Sequence, residues 1–202
     1  MRILTHTFWE NIVIKSIFLG LAFWLVSVAV FAQPTIVIIE AEGNLAPTHN
    51  IGCLPISEMQ NAYTPADAAL AFQRCLVEEN LADAAAMYYF IMAYGDYDKS
   101  RVADISAKQA IGALLYPITA GVSPEILEET NAELSKLKDQ GSLINSGFCR
   151  EIVRIGPPDY FPSYMVQHGM AVITGSIDEP LLADFDGTEK WAEVLSRLKC
   201  AS

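Results

Sequence analysis

The chain has 202 residues, 52% of them hydrophobic, and its 24 Asp and Glu outnumber its 13 Lys and Arg to give a formal charge of −11. Such acidity repels nucleic acid and anionic lipid; where charge helps to choose a partner, it points to a basic protein surface. No two of the four cysteines stand at zinc or thioredoxin-like spacing, so metal held through sulfur is not expected, and nothing in the sequence asks for a cofactor.

The first 32 residues have the pattern of a signal peptide. Arg2 and Lys15 precede SIFLGLAFWLVSVAV, and Val30, Phe31 and Ala32 supply a cleavage site after Ala32. The uncharged run from Ile17 to Ala32 is slightly short for a bilayer span, so no stable membrane anchor is expected after cleavage. Export to the periplasm or to the medium follows. Cys53, Cys75, Cys149 and Cys200 all lie beyond the leader, and an even count in an oxidising compartment implies two disulfides. Of the three pairings, Cys53 with Cys75 closes a short loop and Cys149 with Cys200 ties down the C-terminal helix.

The sequence predicts an all-α fold: a small disulfide-tied domain of about five to six helices around a buried central helix. An irregular arm over residues 33–61 precedes the helical domain at 62–202. In the arm, TIVIIE is β-prone but is followed by the turn formers Glu42, Gly43, Asn44, Pro47 and Gly52. Thr64 and Pro65 then start a helix with Asp67 in its first turn, and Ala68, Phe72, Cys75 and Leu76 form its apolar stripe. Asp67, Gln73, Arg74 and Glu78 fall on its other faces.

The central helix is Leu81 to Tyr94, LADAAAMYYFIMAY, apolar all round from Ala84 and about 21 Å long. Asn80 is its expected cap and Gly95 its expected stop, with GDYDKS as a polar turn. The short link at Glu79 and Asn80 makes an antiparallel hairpin with the helix before it. A further helix is expected over Arg101 to Tyr116, with Asp104 and Lys108 paired and Pro117 beyond its end.

Ser123 and Pro124 open a surface helix that ends at Gly141. Its narrow stripe of Ile126, Leu127, Leu134 and Leu137 leaves an acidic face at Glu125, Glu128, Glu129 and Glu133. Residues 142–155 have no decisive period. Pro162 is expected to start a helix, SYMVQHGMAVIT, ended by Gly175. The last helix, Glu189 to Cys200, is capped from Asp186 and turns Trp191, Val194, Leu195 and Leu198 inward.

The string DFDGT at 184–188 resembles the first motif of haloacid-dehalogenase-type phosphatases. That resemblance implies Asp184 as nucleophile and Asp186 as acid and base, at the end of a strand in a doubly wound sheet with Mg²⁺ nearby. Only residues 189–202 follow, too few for a crossover fold, so the expected role of the string is a helix cap. An EF-hand register fails as well, because it puts Leu182 at the first ligand position.

Two histidines lie beyond the leader, His49 in the arm and His168 after the aromatic loop PPDYFPSYMVQ. Helical spacing puts His168 beside Tyr164, where it would either line a pocket or bond to Tyr164 within the core. No nucleophile elbow, P-loop, dinucleotide fingerprint or zinc-protease motif occurs.

The leading functional expectation is therefore a non-catalytic exported protein that binds another protein, in its specific form an inhibitor or immunity protein. Its contact surfaces would be Glu125, Glu128, Glu129 and Glu133 together with Tyr160, Phe161, Tyr164 and His168. The alternative is a periplasmic hydrolase using His168.

Overall fold

The computed structural model describes residues 40–176 and 178–200, all belonging to one unit that spans 39–202. The expected signal peptide, and the arm up to Ile39, lie outside the described residues. Among the described residues eight α-helices follow in order: α1 Pro65–Val77, α2 Leu81–Arg101, α3 Ala110–Ala120, α4 Pro124–Lys138, α5 Leu143–Ile155, the single turns α6 Ser163–Val166 and α7 Met170–Ile173, and α8 Gly187–Arg197. Among the described residues extended pairing is limited to one antiparallel bridge, Val102 with Leu181. The fold is all-α and tied by Cys53–Cys75 and Cys149–Cys200, the two expected pairings.

Helix α2 is the axis of the fold, as its composition dictates. Ala84, Ala85, Ala86, Met87, Phe90, Ile91, Ala93 and Tyr94 are all buried, and α1, α4 and α8 pack around them. Phe72 of α1 meets Tyr88, Phe148 of α5 meets Tyr89, and Trp191 of α8 stands edge-on to Tyr94 and Tyr97. Edge-to-face aromatic contacts of this kind add about 0.5–1.5 kcal/mol each beyond burial.

The helix is longer than the sequence suggests. Gly95 does not stop it and GDYDKS is helical, so α2 continues to Arg101. Gly95 serves close approach instead: a Cβ there would lie 2.5 Å from Ile111 Cδ1, so only glycine lets α3 pack this near. Asn80 stands at the N-cap, but its side chain donates to Asp83 and makes no cap bond.

The next helix begins at Ala110, not Arg101, and runs through Pro117 to Ala120. Asp104 causes the delay. It forms no pair with Lys108; it accepts the backbone N–H and hydroxyl of Ser106, which bends the chain into the 3-10 turn Ser106–Gln109. Meanwhile Ala103 and Leu182 donate to Pro180 and Arg101 across the bridge, tying the loop before α8 to the end of α2.

Ser123 and Ser142 cap α4 and α5, and Gly141 and Gly156 leave the helices in the left-handed region. Residues 142–155, undecided by periodicity, are helical, with Phe148, Ile152 and Ile155 buried. Buried Asn145 donates to the Leu137 carbonyl and so satisfies an acceptor left open at the end of α4. The expected helix after Pro162 breaks into α6 and α7, because Asp104 and Ser106 accept the N–H groups of Ala171 and Met170 and a side chain at Gly169 would collide with Asp104. The last helix is Gly187–Arg197, capped by Asp186 through Thr188 and Glu189 N–H, and Cys200 lies beyond its end.

Candidate functional site

Among the described residues three buried or half-buried carboxylates, each engaged by internal hydrogen bonds, and an exposed groove are candidates for function. The first is Asp67. Expected away from the apolar stripe, it is instead fully buried, because the arm folds back over it. Its Oδ1 accepts the backbone N–H of Thr48 and of His49, each at 2.6 Å; its Oδ2 accepts Thr64 N–H at 2.8 Å and contacts His49 Nδ1 at 3.2 Å. Burial pushes the carboxyl up, but the N–H donors of His49 and Thr64, with the His49 and Thr48 side chains, outweigh it and hold Asp67 below the usual carboxylate range. Along the same helix Arg74 donates to the Ile51 carbonyl and Asn50 side chain, and Cys75 is bonded to Cys53. Asp67, Arg74 and Cys75 thus fasten the arm to α1.

The second centre is Asp98, hidden in the segment expected as a turn. It is fully buried, and its Oδ2 accepts the hydroxyls of Tyr160 and Tyr164, both at 2.9 Å. Arg101 donates to Oδ1 through Nε at 2.9 Å, and its Nη2 lies 2.6 Å from the same oxygen. The guanidinium also lies over the Tyr97 and Tyr160 rings, 5.2 and 5.3 Å from their centroids. Burial pushes the Asp98 carboxyl above the usual range, opposed by Arg101 and the two phenols. Burial also pushes the Tyr160 and Tyr164 hydroxyls well up, so they remain proton donors to the carboxylate.

This centre corrects the expected aromatic contact surface. Tyr164 is fully buried and Tyr160 points inward, since a buried carboxylate paired with one arginine still needs donors for its remaining lone pairs. Of the loop's aromatic side chains only Phe161 is exposed, at 51%. His168 is half-buried and bonds through Nδ1 to Asn44 Oδ1 at 2.9 Å, not to Tyr164. Its ring fastens the arm to the loop after α6.

The third centre, Asp104, spends both oxygens on Ser106 and Ala171. Among the described residues no group of three or more His, Cys, Asp or Glu is arranged to hold a metal ion. In DFDGT, Asp186 is the cap of α8, while Asp184 is exposed on a shallow surface beside Leu182 and Phe185.

The groove runs between the C-terminal ends of α1 and α3 and the start of α4. It has a volume of about 260 Å³ and is lined by Leu76, Val77, Pro117, Ile118, Val122 and Ile126 together with Gln73, Gly121 and Ser123. Val77 is 80% exposed, and Tyr116, next to Pro117, is 75% exposed. Acids follow both walls in sequence: Glu78 and Glu79 after Val77, and Glu125, Glu128 and Glu129 around Ile126, all exposed. Glu79 adopts φ +56°, the conformation of a helix C-terminal stop usually given to glycine. Glu125 is held below the usual glutamate range by its own N–H and the Ser123 hydroxyl at the start of α4. Glu133, the fourth predicted acid, is half-buried and paired with Lys136 at 2.6 Å. Sequence reading found the acidic face of α4 but missed the groove beside it, because Val77, Ile118 and Ile126 lie on different helices and none alone carries a signal.

Among the described residues no helix is long and apolar enough to cross a membrane, and both disulfides suit a non-cytoplasmic, oxidising compartment. Comparison of the chain with protein-family models, curated proteins and solved structures finds no match.

Proposed function

We propose that this is an exported binding protein, periplasmic or secreted, that captures a basic protein segment in the α1–α3–α4 groove without performing chemistry on it. The observation that carries the reading is the groove lined by Val77, Pro117, Ile118 and Ile126, with Val77 80% exposed and exposed acids following Val77 and flanking Ile126 in sequence. An apolar strip bordered by one sign of charge suits a partner element with apolar anchors and lysine or arginine at its edges. The anchors would supply holding energy and the charges the rate and selectivity of encounter. Inhibition or immunity toward an exported basic enzyme is the specific form of this function. The saturation of Asp67, Asp98 and Asp104 by internal hydrogen bonds, and the His168–Asn44 contact, favour it over a hydrolase.

A synthetic amphipathic peptide of leucine and lysine is the direct probe. Wild-type protein should bind it with strong salt dependence, and Val77→Asp with Ile118→Ser should abolish binding. Reversal of Glu125, Glu128 and Glu129 should mainly slow association. Equal binding by wild-type and groove variants would remove the groove from function.

A further inference from the structure

We infer that a second cavity, between α2, α4, α5 and the turn after α8, binds a small amphiphilic anion: one carboxylate or phosphate head on a short apolar body. The cavity has a volume of about 250 Å³ and shares no lining residue with the groove. Its floor is apolar, built from buried Leu137 and Phe148 and half-buried Leu198. Its wall is Tyr89, whose hydroxyl is buried and has no hydrogen-bond partner among the described residues. A buried hydroxyl of this kind is a donor and acceptor that a bound ligand can engage.

The rim is cationic: Lys138, Arg197 and Lys199 all line this opening of a strongly acidic chain. Away from it Lys99, Lys136 and Lys190 each pair with an acid three residues away, while Lys108 and Arg150 have no acidic partner among the described residues. Lys138 and Lys199 have no acidic partner among the described residues, and Arg197 reaches only Asp96, at 3.6 Å. Lys199 is also held where lysine is disfavoured. It has φ +59° at the end of α8, with Cys200 N–H bonded back to Leu195 and Cys200 joined to Cys149. The same disulfide brings Lys199 against the helix that supplies Phe148. Apolar floor, one unpaired phenol and three converging cations are the composition of a small-ligand site, in which a few placed polar groups orient a mostly apolar contact.

Calorimetric titration of the purified protein with octanoate, octyl phosphate, octylamine and acetate tests the assignment. Octanoate or octyl phosphate should bind at one site, the tighter of the two identifying the head group, while octylamine and acetate should not. Lys138→Gln with Lys199→Gln changes only exposed side chains and should weaken binding about five- to thirty-fold. Tyr89→Phe should weaken it further, Leu198→Trp should block it, and Val77→Asp should leave it unchanged. Thermal melts verify that each variant is folded, and the lysine pair keeps the test sound if Leu198→Trp is not. Octylamine binding as tightly as octanoate, acetate binding as tightly as either, affinity unchanged in the lysine double variant, or no saturable binding at millimolar ligand would each overturn the inference.

Discussion

The Asp67 carboxylate accepts the backbone N–H of His49 at 2.6 Å, so the first turn of α1 holds a segment 18 residues before it. The same carboxylate closes the capping box with Thr64. One side chain therefore starts a helix and fixes the path of the arm.

Loss of this carboxylate should be costly and dependent on pH. Asp67→Asn removes a buried charge-assisted acceptor and should destabilise by about 2–3 kcal/mol near neutral pH. Because the folded pKa lies below the unfolded value, the contribution is complete above about pH 4 and is lost as pH falls through the folded pKa. Urea midpoints measured from pH 7 downward should show the gap between wild type and variant narrowing in acid. A gap that widens there would reverse the sign of the argument.

The Asp98 centre should show the asymmetry of a buried pair. Asp98→Asn leaves the Arg101 guanidinium, 11% exposed, without its counter-ion and should cost about 3–5 kcal/mol. Tyr164→Phe removes one donor to the carboxylate and should cost about 1.5–3 kcal/mol. Chemical denaturation of both single variants and the double measures the coupling. Strict additivity would show that the phenol does not support the charge.

Gly95→Ala tests the reason for a glycine inside a long helix. Helix propensity alone predicts a gain of about 1 kcal/mol. The clash with Ile111 predicts a net loss of about 1–3 kcal/mol, relieved in part by Ile111→Ala in the same chain. A Gly95→Ala variant more stable than wild type would show that α3 can move aside at little cost.

The two aspartates of DFDGT should separate cleanly. Asp186→Ala loses the cap of α8 and should destabilise by about 0.5–2 kcal/mol, while Asp184→Asn should leave the melting temperature nearly unchanged. Phosphatase activity that vanished in the Asp184 variant would reinstate the catalytic resemblance.

What the sequence by itself determined is what acts over a few residues. Thr64–Pro65, Ser123–Pro124 and Asp186 begin helices because a side-chain oxygen reaches a free N–H within the same turn. The all-α class and the largely buried place of Ala84–Tyr94 followed from a segment with no polar face. The disulfide pairs were legible from the placement of four cysteines about the expected helices. Tertiary structure decided the rest, because burial is set by what packs on a residue from elsewhere in the chain. Asp98 looked like a turn residue until Tyr164, 66 positions away, came to lie 2.9 Å from it. Gly95 looked like a stop until Ile111 filled the space a side chain would have taken. The groove exists only where α1, α3 and α4 converge. A helix end shows its apolar face to solvent or to a neighbour according to packing, and no local pattern encodes that choice.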